Sequence, residues 1–231
     1  MDRKAELLRL YELFPFESHP LWRAILKGDL SCEQVFKAEA QHWIRTKAGR
    51  SLREQAVTVA KSISPAIFEQ LVETYLEECT DNVGTNHLAL IERLLTIGGY
   101  THDQLEAIEA TPGNAAAMAL YRDISARGAG CHMLGAGAVE HFYCKLSPKI
   151  FDAYTRIYRM TEHQAETYHI HGDMDQTHAE RAFAVLDEAV QLHGWETVFT
   201  SVRDAFVATS LHYDGMLQAA IGKLSYWDGR S

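Results

Sequence analysis

Six helix starts are written into this chain before any apolar pattern is considered. Ser31 with Gln34, Thr101 with Gln104, and Thr161 with Gln164 each set a hydroxyl three residues ahead of an amide. In that arrangement the two side chains satisfy orphan N–H groups at a helix N-terminus reciprocally. Ser64-Pro65, Thr111-Pro112 and Ser147-Pro148 place a capping hydroxyl before a proline suited to the first helical position. No stretch sustains the period-two alternation of a half-buried strand. Helices are expected near residues 3–13, 20–27, 32–62, 65–79, 86–97, 102–108, 113–126, 130–145, 148–160, 162–192 and 195–222. Gly98-Gly99 closes the helix that opens near Asn86, and Gly49 and Gly172 are expected to bend or split two long ones. The class is all-α. With no linker, repeat or composition shift, the expectation is one domain over 1–231, a compact helical bundle whose interior can hold a cofactor.

Charge narrows the partners. The 22 Lys and Arg against 31 Asp and Glu give a formal net charge of −9. Such a surface repels phosphate backbones and anionic lipid, so neither nucleic acid nor membrane is expected as a partner. The first residues lack the apolar core and cleavage site of a signal peptide, no apolar run approaches the ~20 residues of a membrane helix, and the expected compartment is the cytoplasm. Cys32, Cys79, Cys131 and Cys144 show no CxxC spacing and read as reduced, buried thiols.

The chemistry concentrates in three segments. His171, Asp175 and His178 stand at offsets 0, 4 and 7. At about 100° per residue they form one narrow stripe, and two imidazoles with a carboxylate suit an N/O-binding transition metal. The stretch from Glu73 through Glu77 and Glu78 to His87 offers a carboxylate helix, a glycine-containing break and a histidine opening the next helix. Either Glu77 or Glu78 could converge with His87 across that break. Glu140 follows the small residues Gly135, Ala136, Gly137 and Ala138 inside an otherwise apolar helix, where a charge is costly unless paired or metal-bound. Two His–carboxylate sets with one further carboxylate suit two irons better than one. No HExxH motif is present.

These motifs resemble the heme-oxygenase-like diiron oxidase family, whose superfamily includes thiaminase II and pyrroloquinoline quinone synthase. The likeness runs over nearly the whole chain and starts at Ser18-His19-Pro20-Leu21-Trp22, similar to the superfamily's opening short helix. The family's metal pattern, Glu, His, a later Glu, then HxxxDxxH, falls on Glu77, His87, Glu140, His171, Asp175 and His178. Glu78 is the alternative to Glu77, and a further carboxylate found in some members either falls to Glu73 or Glu54 or is lacking here. The resemblance implies two Fe(II) ions, O2 as co-substrate, a homodimer and an external electron donor. It implies an oxidoreductase that oxidises a small amine- or amino-acid-like metabolite in specialised biosynthesis, by N-oxygenation, oxidative C–C cleavage or nitrile formation. Trp22 occupies the place of a tyrosine that one branch consumes as its own substrate, which argues against self-sacrificing chemistry here.

Phe36, Glu39, His42, Trp43 and Tyr143 are candidates for the substrate pocket. Three other readings compete. Glu39-x-x-His42 and Glu166-x-x-His169 are ExxH pairs of the kind a ferritin-like diiron bundle uses. A metal-free, thiaminase-like enzyme would need a pocket thiol, with Cys131 and Cys144 on the appropriate helix. A non-catalytic helical interaction protein would have no use for a buried Glu140.

Overall fold

The structure, a computed structural model, describes residues 2–82 and 84–223. Eleven α-helices account for the ordered secondary structure of those residues: α1 (Arg3–Arg9), α2 (Pro20–Lys27), α3 (Cys32–Ile63), α4 (Pro65–Cys79), α5 (His87–Ile97), α6 (His102–Glu106), α7 (Pro112–Ala126), α8 (Ala129–Arg156), α9 (Glu166–Ala184), α10 (Leu186–His193) and α11 (Trp195–Ile221), with short 3-10 turns at Leu10–Leu13 and Phe16–Ser18. No strand is present among the described residues, as the sequence pattern predicts.

The caps at Ser31, Ser64 and Thr101 form as read. Other signals are diverted. Ser147 does not open a helix: α8 runs straight through Pro148, and the Ser147 hydroxyl donates to the Tyr168 carbonyl at 2.8 Å, tying α8 to α9. Pro148 faces Gly172, where an added Cβ would lie 3.2 Å from its Cγ. Gly172 therefore serves close approach and does not split α9, and α3 likewise passes unbroken through Gly49. Thr161 and Gln164 do bond reciprocally, but they close a turn, and the helix waits until Glu166. It ends at Ala184, so the predicted helix over 162–192 is two.

Small residues set the tightest contacts. A Cβ on Gly137 of α8 would fall 2.2 Å from the Ala182 Cβ of α9, and one on Gly113 of α7 would fall 2.7 Å from the Gly215 backbone nitrogen of α11. A buried polar weld reinforces the second crossing: Thr111 Oγ1 donates to the Gly215 carbonyl at 2.9 Å, and Asn114 Nδ2 donates to the Gln41 carbonyl of α3 at 2.9 Å. Around these lies a core in which Phe16, Trp22, Tyr154, Tyr168 and Phe206 are fully buried, each worth roughly 1.5–3 kcal/mol of transfer free energy. A smaller core joins Trp43, Ile91, Leu95 and Leu105. All four cysteines are free thiols, and Cys32 is exposed, contrary to the expectation of burial.

Candidate metal centre

α9 carries His171, Asp175 and His178 on its inner face, and all three are buried. The outer nitrogen of each imidazole is taken. His171 Nδ1 lies 2.5 Å from the Thr167 carbonyl, which can only accept, so Nδ1 bears a hydrogen and, in the neutral ring, Nε2 is the bare nitrogen. His178 Nε2 donates to Glu77 at 2.9 Å, and Arg181 grips the same carboxylate at 2.5 and 3.0 Å. Its Nδ1 is thereby turned inward. His171 Nε2, His178 Nδ1 and Asp175 Oδ2 are buried atoms with no hydrogen-bond partner. Leaving such groups unsatisfied costs about 1–3 kcal/mol apiece. Imidazoles oriented by an outer acceptor, with the inner nitrogen free, match the way metal-ligating histidines are held.

Glu78, at the end of α4, faces this stripe. Its Oε2 accepts from His87 Nδ1 at 2.9 Å, while Oε1 lies 3.4 Å from His171 Nε2 and 3.9 Å from His178 Nδ1. Two sets of donor atoms result, each lying within 4.8 Å of one another: Glu78, His87 and His171, and Glu78, Asp175 and His178. Glu78 belongs to both. Glu78, one of the two carboxylates left open by the residues alone, thus holds the central place that the family resemblance put on Glu77. Glu77 lies outside His178, between it and Arg181, and Glu73 is an exposed partner of Arg181 at 3.2 Å. Glu140 of α8 sits 3.8 Å from His178 Nδ1, with Arg53 of α3 3.6 Å from it and 3.3 Å from Glu78.

The electrostatics of the cluster are unbalanced. Burial raises Asp175 well above the usual carboxylate range, and the neighbouring Glu140 and Glu78 add to this against the pull of His171. Burial opposes charging of His171 too, but Asp175 and Glu78 outweigh it and push the imidazole up to about 9. His87 goes the other way, down to about 3, through burial and the charge of His171. Glu78, despite burial, is held well below its ordinary value by His87 and His171. Protons are being retained where a cation would remove the need for them. The donor set fits a divalent metal of intermediate softness, iron among them.

The donors open on a cavity of about 140 Å³ that runs between α3, α8 and α11. His42 and Tyr143, two of the candidates for the substrate pocket, line it. Phe36 and Trp43 do not; both pack in the smaller core against α5 and α6. Glu39 is wholly buried behind the wall, accepting from Tyr154, from Tyr168 at 2.6 Å and from His42 Nδ1 at 3.1 Å. It fixes His42 and does not touch the cavity. Glu166 pairs with Arg93 on the outside of the bundle, so the two ExxH pairs do not face one centre. Cys79 is the cavity thiol, rather than Cys131 or Cys144, and burial pushes it up.

Sequence reading missed Arg45, Arg53, His132 and His212, which also line the cavity. The signal was available for two of them: Arg45, Gly49 and Arg53 recur at four-residue intervals along one helix face.

A family described as iron-containing redox enzyme matches residues 44–207. No curated protein matches the chain. Among solved structures, the chain is similar to a domain of unknown function with a heme oxygenase-like fold from Shewanella denitrificans, at 14% identity and a TM-score of 0.78, covering 100% of this chain and 98% of that one. It is similar to a CADD-like protein of unknown function from Nostoc punctiforme, at 15% identity and a TM-score of 0.76, covering 96% and 97%. A TenA family transcription regulator from Silicibacter sp. aligns at 15% identity and a TM-score of 0.64, covering 91% and 96%. At these identities the likeness establishes the fold, which is heme-oxygenase-like, and nothing finer.

Proposed function

Because the chain belongs to the iron-containing redox enzyme family, we propose that it is an O2-dependent oxidase or oxygenase whose cofactor is a pair of iron ions held around Glu78. The observation that carries this is the trio of buried, unpartnered atoms on His171, Asp175 and His178, facing a carboxylate shared by two donor sets. One ion would take Glu78, His87 and His171, and the other Glu78, Asp175 and His178, with Glu140 near enough to complete the second set. Iron in such a mixed imidazole and carboxylate site supplies the electrons and the open coordination positions that dioxygen chemistry needs.

The protein's own residues prepare the site. Thr167 and Glu77 lock the two histidine tautomers, so ligand nitrogens need not reorient on binding. Arg53 spans Glu78 and Glu140 and offsets their mutual repulsion. His42 and Tyr143 close the cavity beside the donors. A small amine- or amino-acid-like metabolite is the substrate we favour, because the cavity admits only a small molecule and its wall mixes apolar surface with a few polar groups.

The test is an anaerobic Fe(II) titration of metal-free protein beside His171→Ala, followed by mixing with oxygenated buffer. Two irons per chain and an O2-dependent visible absorbance, lost in the variant, would support the reading. No binding in either protein would overturn it and leave a metal-free reaction, with Cys79 as the cavity thiol.

A further inference from the structure

Arg45 is half-buried, and its guanidinium has no carboxylate within ion-pair distance among the described residues. It lies on α3 within the cavity lining, and its near neighbour is an aromatic ring: Cζ stands 5.5 Å from the Tyr121 centroid. Tyr121 and Tyr213 line the same wall as Arg45 and are uncharged phenols that cannot neutralise it. Arg53, two turns along, is already committed to Glu78 and Glu140. A guanidinium placed on a protein interior without a counter-ion is costly, and such sites persist where a ligand supplies the anion.

The surrounding wall has the same bias. Trp22 Nε1 and Thr46 Oγ1, both from lining residues, are buried and make no hydrogen bond. Trp22 stands edge-on to Tyr213, at 5.1 Å between centroids, which places it at the Arg45 side of the cavity. One acceptor accompanies these donors. Asn114 Nδ2 is spent on Gln41, so Asn114 Oδ1 must accept from His212 Nδ1 at 2.9 Å, leaving His212 Nε2 as a bare lone pair. Between Arg45 and Arg53, Gly49 leaves open space: a Cβ there would meet nothing within 4 Å. A mid-helix glycine weakens the helix relative to alanine. No neighbouring element needs its small size, so the space it leaves is cavity.

We propose that Arg45 binds the carboxylate of the substrate, with Trp22 and Thr46 as further donors and His212 Nε2 accepting from an adjacent N–H or O–H of the same molecule. The substrate is then a small organic carboxylic acid bearing a hydrogen-bond donor near its carboxylate. A monoanion fits better than a phosphate, because the carboxylates of Glu78 and Glu140 line the same chamber and would repel a second charge. Arg45 lines the same cavity as Glu78, His171 and Asp175, so the bound acid shares a chamber with the iron donors. Only the reaction that follows rests on the proposed function; the anion site stands without metal.

The experiment is isothermal titration of resin-stripped, metal-free protein with butyrate and with neutral butyramide, in wild type, Arg45→Gln and Gly49→Leu. Butyrate is expected to bind the wild type saturably and butyramide at least about tenfold more weakly, as loss of a charged hydrogen bond implies. Arg45→Gln should weaken butyrate by at least about tenfold, and Gly49→Leu should block it by filling the open space. Equal butyrate affinity in wild type and Arg45→Gln, equal affinity for butyramide, or no saturable butyrate binding to the wild type would overturn the proposal. A parallel Fe(II) titration separates the two claims. Iron binding without Arg45-dependent butyrate binding would sink the anion site alone, and the converse would sink the iron site alone.

Discussion

His178 donates its Nε2 hydrogen to Glu77 at 2.9 Å, and that single bond decides which face of the imidazole looks into the protein. Glu77 itself is held by Arg181, so the orientation is set from the surface inward. Glu77→Ala should therefore weaken Fe(II) binding by about 10–100-fold while two sites remain, as for other outer partners of ligating histidines. Glu78→Ala, which removes the donor common to both sets, should abolish tight binding at both. Anaerobic titration of the two variants checks this. Equal losses would show that Glu78 holds no special place, and a greater loss in Glu77→Ala would show that the roles are reversed.

Gly137 lies where a Cβ would sit 2.2 Å from the Cβ of Ala182. Gly137→Ala should overpack the α8–α9 contact and cost about 1–3 kcal/mol of unfolding free energy. Adding Ala182→Gly should recover most of it. Urea denaturation of the single and double variants reads both numbers, and a destabilised double variant no better than Gly137→Ala would place the cost elsewhere.

His132 gives the fold an acid limit. Its Nδ1 bonds to the Ser125 hydroxyl at 2.8 Å, and burial with the nearby Arg53 charge pushes its pKa down to about 3. An unfolded histidine titrates near ~6.5. Between those values the unfolded chain binds the extra proton and the native state does not, so stability must fall as pH drops from about 6.5 toward 3. His132→Leu should flatten that slope, measured by thermal unfolding across the range in metal-free protein. An unchanged slope would show that other buried groups set the limit.

Metal binding should order the middle of α9. His171, Asp175 and His178 carry unsatisfied buried atoms, and Gly172 sits among them at a helix-propensity cost of roughly 1 kcal/mol. Amides from His171 to His178 should exchange more slowly with Fe(II) bound than without it, while those of α11 change little. Identical protection of α9 in both states would contradict this.

Much of this was legible in the sequence, and the failures have identifiable causes. Capping pairs at Ser31 and Thr101 mark true helix starts because their partners lie three residues away in the chain. The His171, Asp175 and His178 stripe follows from helical periodicity alone. The choice between Glu77 and Glu78 did not, because one residue is a rotation of about 100° on α4 and only the packing of α4 against α9 decides which carboxylate faces inward. Ser147-Pro148 read as a cap, yet tertiary contacts to Tyr168 and Gly172 carried α8 through it. Phe36 and Trp43 share a face with Glu39 but meet α5 rather than the cavity. The four-residue spacing of Arg45, Gly49 and Arg53 was readable, but an arginine on a helix is usually solvated, and the lack of an ion-pair partner for Arg45 exists only in three dimensions.

The most direct measurement is anomalous scattering at the iron edge from crystals of anaerobically Fe(II)-loaded protein. The account predicts two peaks flanking the Glu78 carboxylate, one against His87 and His171 and the other against Asp175 and His178. A single peak, a peak centred on Glu77 and Arg181, or no peak within this cluster would contradict it.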